Sequence, residues 1–136
     1  MIMRDSQAKT TYLKYYEPPE FFIKKTSLSF DLYEDKTLVT SHVEFFRNKN
    51  FLKNPTNSLL LDGQDLDIES ICLNDVELKP EQYAQKEESL AIPNLNEILS
   101  DSNENFTMTC VVKIKPQDNT SLEGLYKSKD KFCTQC

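Results

Sequence analysis

Apolar residues recur at every second position along this chain, and that spacing restricts it to strands. Leu28, Phe30 and Leu32 share one face while Ser27, Ser29 and Asp31 share the other. Val39, Ser41, Val43 and Phe45 repeat the pattern on a return, and Phe106, Met108, Cys110, Val112 and Ile114 make an unbroken alternating face. A helix would scatter these residues around its axis, whereas a half-buried strand collects them on one side. The polar Glu34-Asp35-Lys36 predicts a hairpin turn between strands over roughly 22–33 and 37–47. Ser58–Leu61 and Leu66–Leu73 read as strands, and Asn74-Asp75 as a tight turn before Val76–Leu78, which Pro80 ends. Tyr83–Gln85 and Ser89–Ile92 flank Lys86-Glu87-Glu88 as a further hairpin. Between Asn94 and Asn105, Leu95, Ile98 and Leu99 have helical spacing, but the Asn and Asp content suits a loop equally. The tail from Gln117 to Cys136 shows no period. Short strands joined by short polar turns predict an all-β, mainly antiparallel sheet or sandwich. Residues 1–14 form a flexible N-terminal arm in this reading, and 15–136 a single β domain.

Composition removes several functional classes. The 136 residues hold only two glycines, Gly63 and Gly124, which excludes a Gly-rich phosphate cradle. A net charge of −6 argues against a grip on nucleic acid or on an anionic membrane. No apolar run approaches the ~20 residues that span a bilayer. Arg4, Asp5, Lys9 and Lys14 interrupt the first 15 residues, which do not read as a signal peptide, so a cytoplasmic chain with reduced cysteines is expected. The two sequons at Asn105 and Asn119 then carry no sugar. A single histidine, His42, excludes any zinc site with two or three His ligands in this chain.

The remaining reactive residues have bland readings that fit better than functional ones. His42 lies mid-strand with no nucleophile announced beside it. Asp62, Asp65, Asp67 and Glu69 lack the spacing of a calcium loop and suit a solvated strand face. Tyr12, Tyr15, Tyr16, Phe21 and Phe22 suit a hydrophobic anchor that packs the approach segment on the sheet, with a ligand platform as the sharper alternative. Cys133-Thr134-Gln135-Cys136 has the spacing of a metal or redox motif. Cys72, Cys110 and His42 lie in separate strands, so a spacing with no joint role is preferred.

Two features of the tail carry a resemblance: Asn119-Thr-Ser-Leu-Glu123-Gly124-Leu125-Tyr126-Lys-Ser128, then Cys133-Thr134-Gln135-Cys136. Together they resemble the signature late in the N-terminal domain of the bacterial aminopeptidase N family, zinc metallopeptidases of the gluzincin group. Tyr15-x-x-Pro18, Thr26-x-Leu28-x-Phe30-Asp31-Leu32, Lys36-Thr37-x-Val39-Thr40, Leu59-x-Leu61-Asp62-Gly63-x-Asp65-Leu66 and Ile71-x-Leu73-Asn74-Asp75 agree in order, so the resemblance covers about residues 12–136. It implies a saddle-like β N-terminal domain, cut at its C-terminal end. The parent would remove N-terminal amino acids from peptides, with the remaining domains of the same chain as partners. Its zinc-binding H-E-x-x-H would lie in the next domain, so this stretch is expected to hold no catalytic residue and no metal ligand. By the same resemblance, Gln135 lines the pocket for the substrate's first side chain, and the C-x-x-C binds no metal. The glutamate that binds the substrate amine would follow Cys136. A cut there would uncover a strand edge and favour self-association. The alternatives are a stand-alone β-sandwich module that binds peptide or sugar, and a small metal protein built on Cys133 and Cys136.

Overall fold

The computed structural model describes residues 10–51, 53–100 and 104–136. Ten strands follow in order: β1 Phe21–Leu32, β2 Thr37–Arg47, β3 Ser58–Asp62, β4 Asp67–Leu73, β5 Val76–Glu77, β6 Ala84–Gln85, β7 Ser89–Pro93, β8 Asn105–Ile114, β9 Gly124–Ser128 and β10 Lys131–Gln135. One short helix, α1, spans Leu95–Leu99. Every strand pair is antiparallel, in a five-stranded sheet ordered β1-β2-β8-β4-β5, a three-stranded sheet ordered β3-β7-β6, and the separate hairpin β9-β10. The all-β antiparallel fold expected from the alternation is the fold observed.

The period-2 faces become the core. Val43 and Phe45 of β2, Phe106, Met108 and Cys110 of β8, and Ile71 and Leu73 of β4 project from one face of the large sheet. Leu59 of β3 and Leu90 and Ile92 of β7 meet them from the small sheet, and Leu95 and Leu99 of α1 close one end. Phe45 and Phe106 stack with centroids 5.1 Å apart, and the Phe21 ring meets Phe106 edge-on at 5.5 Å. Asn57 holds the start of α1: its carbonyl accepts the Leu95 amide, and its side-chain oxygen accepts the Asn96 amide. Its amide group donates to Glu97 at 2.9 Å, which holds that carboxyl below its usual range. The segment that suited helix or loop equally is thus a helix over five residues.

Turn chemistry follows the residue types. Asn74 and Asp75 have φ of 46° and 64°, the left-handed pair that a two-residue hairpin between β4 and β5 requires. Asn74 also bonds β8 twice, through its amide to the Thr107 carbonyl and through its side-chain oxygen from the Thr107 amide.

The tail, which shows no apolar period, folds as β9 and β10 with Lys129 in the left-handed region at their turn. Two expectations need correction. The prolines do exclude a long helix before β1, yet Leu13–Tyr15 makes one 3-10 turn. Among the residues proposed as an aromatic anchor, Phe21 packs against the core and Phe22 meets Phe46 on the opposite face of the sheet at 5.4 Å. Tyr12, Tyr15 and Tyr16 remain exposed, with the Lys14 ammonium lying over the rings of Tyr12 and Tyr15. Most of the expected arm over 1–14 lies outside the described residues.

One apolar face is left uncovered. The register Phe30↔Val39 and Leu28↔Ser41 places Leu28, Phe30 and Leu32 on the same side as the core. The small sheet does not reach over them, and they are 56%, 49% and 47% exposed.

Candidate functional site

The motif-bearing tail is built around Asn119. Its side-chain amide donates to the Glu123 and Leu125 carbonyls at 2.8 and 2.9 Å, and its oxygen accepts from the Ser121 amide and hydroxyl. This local ring bends the chain so that Leu122 and Gly124 both take positive φ, 60° and 70°, at the start of β9. Two further contacts tie the hairpin to the β1–β2 turn. Lys127 pairs with Glu34 at 2.7 Å while lying over the Phe132 ring, and Gln117 donates to the Asp35 carbonyl at 2.6 Å.

Gln135 stands opposite Gly124 at the open end of this hairpin and shares a face with Cys133, which stands opposite Tyr126. There the ends of β9 and β10 face Phe30 of β1 across an open groove of about 750 Å³, lined by Phe30, Glu123, Gly124, Leu125, Thr134, Gln135 and Cys136. An aromatic floor beside a side-chain amide suits an uncharged side chain, an apolar one resting on the ring or a polar one that also hydrogen-bonds the amide. The resemblance names Gln135; Phe30, which lines the same groove, and Asn119 were not among the residues named for a site. The Asn-x-Ser spacing at 119–121 was the available signal, because Asn bonds readily to backbone two residues on.

Gly124 has open space around its Cα, so conformation rather than crowding selects glycine there. Gly124→Ala should therefore cost about 1 kcal/mol through the left-handed backbone. The check is a urea titration, with line broadening confined to β9 and β10 in an amide NMR spectrum.

The other candidates do not gather. His42 Nδ1 lies 2.8 Å from Thr109 Oγ1 across β2 and β8. Asp67 and Glu69 share Lys113 at 3.9 and 3.2 Å, as a solvated strand face should. All four cysteines are free. Burial raises the Cys110 and Cys72 thiols above their usual range, Glu77 and Asp75 adding to the effect at Cys72. Among the described residues, no three or more His, Cys, Asp or Glu side chains cluster to hold a metal ion. No zinc centre is assembled by the described residues. No helix is long and apolar enough to cross a membrane among the described residues.

Comparison with known proteins shows what the chain is similar to. The fold superposes on the crystal structure of Legionella pneumophila aminopeptidase A in complex with aspartic acid with a TM-score of 0.73 and 27% identity, covering 88% of this chain and 13% of that one. Native leukotriene A4 hydrolase from Saccharomyces cerevisiae shares the fold alone, at a TM-score of 0.60 and 17% identity over 88% of this chain and 19% of that one. The chain is thus similar to one all-β region of an aminopeptidase. In sequence its relatives are aminopeptidase N. It is 36% identical to the Haemophilus influenzae protein over 129 residues (95% of this chain, 14% of the relative). It is 36% identical to the Escherichia coli protein over 130 residues (96% and 13%) and 33% identical to the Caulobacter vibrioides protein over 134 residues (98% and 14%). The chain spans about one seventh of the length of the curated relatives it matches. No family model matches it.

Proposed function

We propose that this chain is the N-terminal β domain, in part, of a zinc-dependent aminopeptidase that removes N-terminal amino acids from peptides. The observation that carries the reading is identity of 33–36% to aminopeptidase N along 95–98% of the chain. The domain supplies scaffold and one wall of the substrate pocket, and Gln135 contacts the first side chain of the peptide. A zinc ion held by ligands in other domains of the same polypeptide would supply the Lewis acid and the activated water. By itself the chain is inactive. A cytoplasmic location and a role in peptide breakdown belong to the same reading, and four free cysteines suit a reducing compartment.

A chimera tests the assignment. This chain replaces the matching stretch of Escherichia coli aminopeptidase N, and hydrolysis of an alanine anilide is measured. Retained, chelator-sensitive hydrolysis is expected. With a substrate whose first side chain is polar, Gln135→Ala in the chimera should raise KM about tenfold with a smaller effect on kcat, since one hydrogen bond made in the ground state is worth about 1 kcal/mol or slightly more. A folded but inactive chimera, or a Gln135→Ala chimera with unchanged KM across several side chains, overturns the assignment or the role of Gln135 respectively.

A further inference from the structure

Asn119 uses every hydrogen bond its side chain can make, and all four go to residues 121–125. The amide donates to the Glu123 and Leu125 carbonyls, and the oxygen accepts the Ser121 amide at 3.1 Å and the Ser121 hydroxyl at 2.7 Å. Between those anchors Leu122 has φ of 60°, a backbone conformation that a bulky residue rarely adopts. Its side chain is 56% exposed, so burial does little to offset the strain. The bonds of Asn119 hold the bend instead.

The bend acts on what stands across from it. The hairpin closes at Ser128 opposite Lys131, with Lys129 and Asp130 between them. In a two-residue hairpin the closing pair exchanges both backbone bonds, and every second pair after it does so again. Tyr126 with Cys133 and Gly124 with Gln135 are therefore hydrogen-bonded pairs, and Leu125 turns its carbonyl away from β10. The Asn119 amide meets that outward carbonyl, so β9 is held on one side by Asn119 and on the other by β10. The Lys127–Glu34 pair holds the turn end of the hairpin, one residue from Ser128. The end that carries Gly124 and Gln135 is left to Asn119.

We propose that Asn119 is a positioning residue for Gln135. Its side chain fixes the bend from Leu122 to Gly124, and Gly124 fixes the backbone of Gln135 across the ladder. The first side chain of the peptide is read from that position.

This inference rests on the pocket role of Gln135 given above, and its test separates the two. In the Escherichia coli aminopeptidase N chimera, Asn119→Ala should raise KM about fivefold for a substrate whose first side chain is polar, with kcat within about twofold. Added to Gln135→Ala, it should change KM by less than about twofold, because it acts through the residue already removed. Amide exchange read by mass spectrometry on the same chimeras should speed about tenfold over 123–126 and 133–136, and stay unchanged over β2 and β8. Ser121→Ala removes one bond of the four and leaves the carbonyl pair held, so it keeps the test open if Asn119→Ala does not fold. It should speed exchange over the same two stretches about threefold. Independent effects of Asn119→Ala and Gln135→Ala on KM, or exchange that speeds over 123–126 alone, overturn the positioning role. Unchanged KM in the Gln135→Ala chimera overturns the pocket role instead, and exchange over 133–136 then decides alone whether Asn119 places that residue.

Discussion

Ile71→Ala should destabilise the chain by about 3–5 kcal/mol, near the upper end for truncating a buried isoleucine. Ile71 is fully buried on β4, opposite Cys110 of the central strand β8, where the two sheets meet. It is fixed by long strands on one side and by the small sheet on the other, so the cavity left by alanine cannot collapse readily. A domain of this size is stable by about 5–15 kcal/mol, so the loss is a large share of the total. In urea the midpoint should fall by roughly 2 M, taking a slope near 2 kcal/mol per molar. Leu60 on the exposed face of β3 is the control, and its alanine variant should change stability by less than about 0.5 kcal/mol. Equal losses at the two positions would show that the sandwich interface is not where stability resides.

Glu20→Ala should cost about 2–3 kcal/mol and loosen the approach segment, which Asn48 still holds through the Glu20 and Pro19 carbonyls. Glu20 and Arg47 form a 2.7 Å ion pair whose side chains are only 12% and 19% exposed. The Arg47 guanidinium lies 4.7 Å from the centroid of the Phe21 ring, and the second Glu20 oxygen accepts the Thr56 hydroxyl at 2.6 Å. Removing the carboxylate leaves a largely desolvated guanidinium with less compensation, and that cost exceeds the modest worth of a surface pair. Glu20→Gln keeps a hydrogen-bond acceptor and should cost about half as much. A double-mutant cycle with Arg47→Met should return a coupling energy of about 1–3 kcal/mol. A coupling near zero would reduce the pair to an ornament of the surface.

The sheet architecture was legible where alternation was long. The five-member face from Phe106 to Ile114 and the returns on either side of Glu34-Asp35-Lys36 announced β8, β1 and β2 nearly to the residue. The hairpin β9–β10 escaped because Lys127 and Thr134 share a face with Leu125 and Phe132, so no apolar period forms. Its strands are held by the Asn119 side chain and by Lys127 across to Glu34, contacts that hydropathy does not register. The tyrosines of residues 12–16 misled for the opposite reason, since aromatic character gives no sign of which rings find a surface. Of the candidate site, Gln135 was legible only through its motif. Its neighbour Phe30 reads in sequence as one more core position, and only the fold brings residues a hundred positions apart to one groove.

The register of β2 against β8 has a consequence for synthesis. Thr37 pairs with Ile114 and Phe45 with Phe106, so the inner strand of the large sheet finds its second neighbour only after some 60 to 80 further residues have been made. At about 5–20 residues per second, the β1–β2 hairpin leaves the ribosome several seconds before β8 can dock beside it. During that interval its apolar side faces solvent, and the two-stranded unit is marginally stable without a third strand. Birth of the domain is therefore slow and exposed at its N-terminal end. The nascent hairpin is where a chaperone would first find something to hold, and a pause in translation before β8 would lengthen that vulnerable period.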